Sequence, residues 1–172
     1  MDYQIFEILR GLTGRHWLLD WLFIFLGGYL PYILAFSFLF LIFWTHKKWH
    51  NRLYFIFLSS LALLISRGIF VETIRFFYYR PRPFKLLGFD PLINYPDISS
   101  MPSGHAAIFF ALALLIYYIN KDYIWYFIAG AVLVSLGRIL VGVHWPADIL
   151  VGSAIGMGSA LLAKYLLPYK IK

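Results

Sequence analysis

The sequence predicts an all-α fold: a polytopic membrane helical bundle of about five transmembrane helices, with an N-terminal interfacial helix beside them. Three observations carry this. Of the 172 residues, 62% are hydrophobic and only 13% charged, too few polar groups to cover a water-soluble domain of this size. The apolar residues fall in runs of 18 residues or more, long enough to cross a bilayer. The basic residues lie between those runs rather than in one solvated patch, so a formal charge of +7 points to membrane topology and an anionic ligand, not to nucleic acid. The chain has no cysteine, which excludes disulfides, thiolate metal sites and cysteine nucleophiles. No cleavable signal peptide is expected, because "MDYQIFEILRGL" has early acids and no basic stretch before an apolar core.

Residues 3–12 set Ile5, Ile8, Leu9 and Leu12 on one helical face, with Asp2, Glu7 and Arg10 elsewhere. The pattern fits a short helix on the membrane surface; a frayed terminus is the alternative. The first long run covers Trp17 to Trp44. At ~1.5 Å per residue it crosses a ~30 Å core once, with tilt, and Gly27, Gly28 and Pro31 mark a kink. The next runs are Leu53–Tyr79, Pro102–Ile119, Ile124–Val143 and Pro146–Leu167. Their connections are "THKKWHNR", a long loop over 80–101, "NKDY" and a tight "HWP" corner. With no repeat, low-complexity tract or linker, residues 1–172 read as one domain.

With five crossings, one side receives Lys47, Lys48, Arg52, Lys121, Lys164, Lys170 and Lys172. The positive-inside rule assigns that side to the cytoplasm. Loop 80–101, the start of the third span and the 143–146 corner then face outward together.

Three stretches with chemical potential meet at that outer side. In "GRILVGVHWPAD", Pro146 suits the first turn of a helix, so His144 precedes the helix and Asp148 lies in its first turn. The carboxylate can reach back to one imidazole nitrogen and leave the other basic, as a nucleophilic or basic histidine requires; a structural pair capping the helix is the alternative. Asp148 shares a face with Gly152 and Gly156, which marks a packed helix–helix side. In "PSGH", residues 102–105, Ser103, Gly104 and a helix N-terminus offer N–H groups to an anion, and His105 stands ready to donate a proton. Taken alone, that tetrapeptide reads as an ordinary N-cap. Arg75, Arg82 and Arg138 decide between the readings. They sit near outer helix ends without a matching supply of carboxylates, and guanidiniums that face one another need a multi-oxygen anion such as phosphate between them. Arg67 lies mid-span and is assigned a structural role, with Glu72 or backbone carbonyls as partners.

These residues resemble the signature of the type 2 phosphatidic acid phosphatase (PAP2) superfamily, which also includes vanadium haloperoxidases and soluble bacterial acid phosphatases. Its parts are Lys-x6-Arg-Pro, Pro-Ser-Gly-His and Ser-Arg-x5-His-x3-Asp. Here they stand as Arg75 with Arg82-Pro83, as 102–105 intact, and as Gly137-Arg138 with His144 and Asp148. Two positions depart from the pattern: Arg75 replaces a lysine, and Gly137 a serine. The resemblance implies that His144 attacks phosphorus and forms a phosphohistidine while Asp148 orients it. His105 then protonates the leaving oxygen and activates water. Arg75, Arg82, Arg138, Ser103 and the Gly104 N–H hold the phosphate oxygens. The three basic side chains take the place of a metal, so no metal or other cofactor is implied.

The implied partner is a lipid phosphate or diphosphate, reached from the membrane, with Phe76, Phe77, Tyr78 and Tyr79 either lining the entry or forming an interfacial belt. Within the superfamily the chain is similar to bacterial undecaprenyl-diphosphate phosphatases of the cytoplasmic membrane. Phosphatidylglycerol-phosphate or phosphatidate hydrolysis is the alternative. A non-catalytic lipid-binding protein would have no need of both histidines and Asp148. Oligomeric state is not legible.

Overall fold

The apolar runs all form helices, and their ends are set by the few residues that break or cap them. In the computed structural model, which describes residues 2–168, the order is α1 (Asp2–Arg10), α2 (Trp17–Thr45), α3 (Trp49–Phe77), α4 (Pro83–Leu87), α5 (Gly104–Ile119), α6 (Lys121–Leu140) and α7 (Pro146–Leu166). Among the described residues there is no strand. Helices α2, α3, α6 and α7 are long and apolar enough to cross a membrane, and α5 is a shorter apolar helix of 16 residues. The chain is an integral membrane protein. Lys170 and Lys172, counted above toward orientation, lie outside the described residues.

Helix α5 is the hub. It packs on α2, α3, α6 and α7, and ten of its sixteen residues are buried, so its sequence reads as apolar all round. Its closest partner is α7, where small residues bring the backbones together. A Cβ on Gly152 would lie 2.4 Å from the Ser103 carbonyl oxygen, and one on Gly156 2.2 Å from that of Ala107. The rest of the core fills with Phe38, Ile42, Phe55, Leu58, Leu115, Ile116 and Val134.

Two of the long helices carry a π segment, Phe25–Tyr29 in α2 and Leu64–Val71 in α3. The first has a local cause. Pro31 has no N–H to give the Gly27 carbonyl four residues earlier, so the ordinary helical bond is missing there. The expected kink therefore appears as a bulge, and it seats against α6. The linker expected over 45–52 is also shorter than its composition implies, because α3 begins at Trp49.

The N-terminal residues do form a helix. Phe6 is fully buried against Trp145 (ring centroids 4.9 Å apart) and Phe89 (6.3 Å), while Ile5, Ile8 and Leu12 remain exposed. One face of α1 thus docks on the bundle and another apolar face stays open, as an interfacial helix requires. Helix α1, the loop through α4 to Pro102, and the 141–145 corner gather at one end of the bundle, and the 46–48 and Asn120 turns lie at the other.

Candidate active site

Asp148 is placed by the start of α7. Pro146 fixes the first turn, and the fully buried Asp148 carboxylate turns back so that Oδ2 accepts the Trp145 N–H at 2.8 Å. The same oxygen lies 3.3 Å from His144 Nδ1. The carboxylate therefore orients the imidazole and leaves Nε2 facing inward, 3.4 Å from Arg82 Nη1. His144 has no exposed surface. Burial pushes its pKa down to about 4; the Asp148 bond opposes this and the Arg82 charge adds to it, so at neutral pH the ring is uncharged.

The tetrapeptide at 102–105 meets this pair through the backbone, because Ser103 N–H donates to the Asp148 carbonyl at 3.0 Å. Ser103 is the N-cap of α5, its Oγ accepting from Ala106 N at 3.4 Å. Gly104 is buried beneath Arg67: a Cβ there would lie 2.6 Å from the Arg67 Nε. His105 follows in the first turn, near Phe109 (6.4 Å between ring centroids), with the Arg138, Arg67 and Arg75 cations and the uncharged His144 ring as its neighbours.

The three expected arginines converge here, each held differently. Arg82, fully buried, donates from Nε to Ile98 O (3.0 Å), from Nη1 to Val143 O (2.7 Å) and from Nη2 to Ser99 O (3.2 Å). Burial and the charges of Arg75 and Arg138 pull its pKa down to about 10, against the support of Tyr95, which still leaves it cationic at neutral pH. Arg75 donates from Nη2 to Pro102 O at 2.9 Å, and its buried Nε has no hydrogen-bond partner among the described residues. Arg138 donates from Nη1 to Gly27 O at 3.1 Å and lies over the Tyr95 ring, while its buried Nε and Nη2 have no well-formed hydrogen bond among the described residues. The Gly27 oxygen is the one that Pro31 cannot serve, so the π segment of α2 presents an acceptor to Arg138. Three unpartnered guanidinium nitrogens beside a buried imidazole form a site built for an anion with several oxygens.

The departure at Gly137 has a structural reason. A Cβ there would lie 2.4 Å from the Gly27 nitrogen and 2.6 Å from the Leu26 carbonyl carbon. Arg67 pairs with Glu72, as expected, and Glu72 Oε1 also lies 3.7 Å from Arg75 Nη1. Phe76, Phe77, Tyr78 and Tyr79 are exposed and do not line the cavity that holds His105 and Arg138, which favours the belt reading. A cavity of about 320 Å³ opens instead between the π segment and the loop, with Ile24, Tyr29, Tyr32 and Tyr95 on its walls and His105 and Arg138 within it.

Two residues escaped the sequence reading. The Tyr95 ring lies under both Arg82 (4.4 Å) and Arg138 (4.5 Å) and meets His144 edge-on at 6.5 Å. Arg80 donates from Nη1 to Asp148 Oδ1 at 2.7 Å and pairs through Nη2 with Asp2. Nothing in the spacing of the chain marks Tyr95. The doubled Arg-Pro at 80–83 was the one signal for Arg80.

Residues 53–172 match the PAP2 superfamily. The chain is 27% identical over 169 residues to the bacitracin transport permease protein BcrC of Bacillus licheniformis, covering 98% of this chain and 81% of that one. It is 27% identical over 152 residues to the undecaprenyl-diphosphatase BcrC of Bacillus subtilis (strain 168), covering 87% and 76%. Among solved structures, LpxE of Aquifex aeolicus is similar with a TM-score of 0.76 and 25% identity, over 95% of this chain and 94% of that one. The first transmembrane PAP2 type phosphatidylglycerolphosphate phosphatase from Bacillus subtilis shares the fold, with a TM-score of 0.63 and 20% identity over 95% and 85%. The matched stretch contains all three motifs that the fold gathers at one end of the bundle, and the chain belongs to the PAP2 superfamily, as a phosphatase of that family.

Proposed function

We propose that the chain, as one phosphatase domain over 1–172, hydrolyses undecaprenyl diphosphate to undecaprenyl phosphate and phosphate. In this reading the site faces the exterior of the bacterial cytoplasmic membrane. The observation that carries the phosphate reading is the set of unpartnered nitrogens on Arg75 and Arg138 next to the His144–Asp148 pair. The undecaprenyl-diphosphatase among the relatives supports the choice of lipid, and the basic residues at 47, 48, 52 and 121 support the orientation.

The terminal phosphate enters between Arg75, Arg82 and Arg138, with Ser103 and the Gly104 N–H completing the cradle. His144 Nε2 attacks in line. An N–P bond forms as the P–O bond to the lipid breaks, and His105 gives its proton to the departing oxygen. A water then attacks the phosphohistidine, losing a proton to His105, and the N–P bond breaks to release phosphate. Asp148 holds the imidazole and stabilises its positive charge throughout.

Phosphatidylglycerol phosphate is the second reading, favoured by the structural likeness to a phosphatase of that lipid. Side-by-side phosphate release in EDTA from undecaprenyl diphosphate, phosphatidylglycerol phosphate, phosphatidate and lipid A decides among them. The expected order puts undecaprenyl diphosphate first, with block by vanadate, and a clear preference for a diacylglycerol lipid overturns it. Full activity of His144→Ala overturns the mechanism. Cysteines introduced one at a time over 85–98 should label from outside intact cells.

A further inference from the structure

We propose that Arg80 and Asp2 are positioning residues for the reaction, and that they make helix α1 a working part of the active-site assembly. The proposal rests on the reading of His144 as nucleophile and concerns what holds its partner Asp148.

A buried carboxylate must have both oxygens satisfied, or it pays the cost of an uncompensated charge. Oδ2 of Asp148 serves the Trp145 N–H and His144. Oδ1 is met by Arg80 Nη1 at 2.7 Å, a tighter contact than the 3.3 Å to the imidazole. Held from both sides, the carboxylate plane cannot turn, and that plane sets the imidazole's orientation. The other terminal nitrogen of Arg80 pairs with Asp2 Oδ2, while Asp2 Oδ1 accepts the Ala147 N–H at 2.9 Å, one residue before Asp148. The chain of contacts thus closes on itself: Asp2, Arg80, Asp148, the first turn of α7 and back to Asp2.

The remaining contacts pin each member. The Arg80 guanidinium lies 5.4 Å from the centre of the Trp145 ring, and Trp145 Nε1 donates to Pro81 O at 2.9 Å. Phe6, about one turn into α1, is fully buried against Trp145. With both terminal nitrogens committed to carboxylates, Arg80 differs from Arg75 and Arg138, which keep nitrogens for an anion. Burial works against the Arg80 charge, but the bonds to Asp2 and Asp148 more than offset it and its pKa is raised.

The groups facing His144 are Asp148, Arg82, Arg138, His105 and the Tyr95 ring, with Arg80 behind Asp148. Removing Arg80 takes away a cation and frees the carboxylate. The imidazolium is then favoured, and the acid limb of kcat/KM must move to higher pH.

The test uses the full chain in detergent with the lipid phosphate that the wild type hydrolyses, comparing Arg80→Met, Arg80→Lys, Asp2→Asn and the Arg80→Met/Asp2→Asn double variant. Arg80→Met should lower kcat by about 10- to 100-fold, the scale known for losing the group that orients a functional side chain from behind, with KM little changed. Its acid limb should rise, and Arg80→Lys should recover part of both effects. Asp2→Asn should lower kcat in the same direction, and the double variant should lose less than the product of the singles, because the two act through one contact chain. Wild-type kcat and an unmoved acid limb in folded Arg80→Met overturn the proposal. If that variant does not fold, the same outcome in Asp2→Asn does so. Loss of the nucleophile reading itself is seen separately, as full turnover by His144→Ala.

Discussion

Restoring the serine that the PAP2 signature carries at position 137 should damage this protein. In Gly137→Ser the new Cβ would meet the Gly27 nitrogen at 2.4 Å, the Leu26 carbonyl carbon at 2.6 Å and the Leu26 Cβ at 2.8 Å, where ordinary contact is 3.4–4 Å. The two nearest atoms are backbone, so no rotamer change relieves the overlap. Helix α2 must retreat by about 1 Å, an overpacking that costs roughly 1–3 kcal/mol. The same retreat draws the Gly27 oxygen away from Arg138 Nη1, now 3.1 Å distant, and strips a buried guanidinium of that bond. A displacement of about 1 Å at a phosphate-holding group is worth ~10²-fold in rate. The assay is thermal unfolding by tryptophan fluorescence together with phosphate release from a lipid phosphate. Gly137→Ala separates volume from the hydroxyl, and both variants should lose stability and kcat to a similar extent. If Gly137→Ser melts at the wild-type temperature and turns over as fast or faster, the reasoning is wrong, and the missing hydroxyl rather than the helix contact governs that position.

Five other outcomes follow from the geometry. Orthovanadate should raise the unfolding temperature by binding only the folded state, and Arg138→Ala should weaken that rise, measured by titration of the melting midpoint. Because His144 in the free enzyme has its pKa near 4, kcat/KM should stay high as pH falls from 7 to 5 and drop only on approach to 4, where the proton occupies the attacking lone pair. The same depression means that between about 6.5 and 4 the unfolded chain binds a proton that the folded one does not, so the His144 contribution to stability falls as pH falls through that window. Tyr95→Phe should keep both guanidinium stacks and near-normal KM, whereas Tyr95→Ala should raise KM about 3- to 10-fold, in line with the worth of one or two desolvated cation–π contacts. Phe6→Ala should cost about 3–5 kcal/mol of stability, visible as a lowered melting temperature, since the ring is fully enclosed by Trp145 and Phe89.

The membrane helices and the gathering of the candidate site residues were legible because both depend on short-range pattern: a span needs an unbroken apolar run, and the motif spacings put each candidate group within a turn of a helix end. Gly152 and Gly156 likewise announced a close helix contact, found against Ser103 and Ala107. The π segments were not legible. Pro31 announces a disturbed helix, but the bulge seats against a glycine 110 positions from Gly27, a contact that no local window contains. Arg80 stayed hidden for the same reason, since its partners lie 78 and 68 positions away. Tyr95 sits in a loop held over the site by the arginines its ring covers and by the Leu92 N–H bond to the Val141 carbonyl (3.1 Å), none of which a turn propensity records.

The placement of Asp2 also governs how the protein can be handled. Its carboxylate lies in the contact chain that ends on His144, so residues fused ahead of it, an affinity tag or a fluorescent reporter included, start at the edge of the candidate active site. The end of α7 lies at the other end of the bundle, where the Leu167 carbonyl accepts from the Tyr54 hydroxyl at 2.9 Å, so a carboxyl-side fusion does not load that contact chain. Activity compared between the two fusion ends is therefore a measurement of the molecule, and a weak signal from an amino-terminal fusion reports on the attachment before it reports on the enzyme.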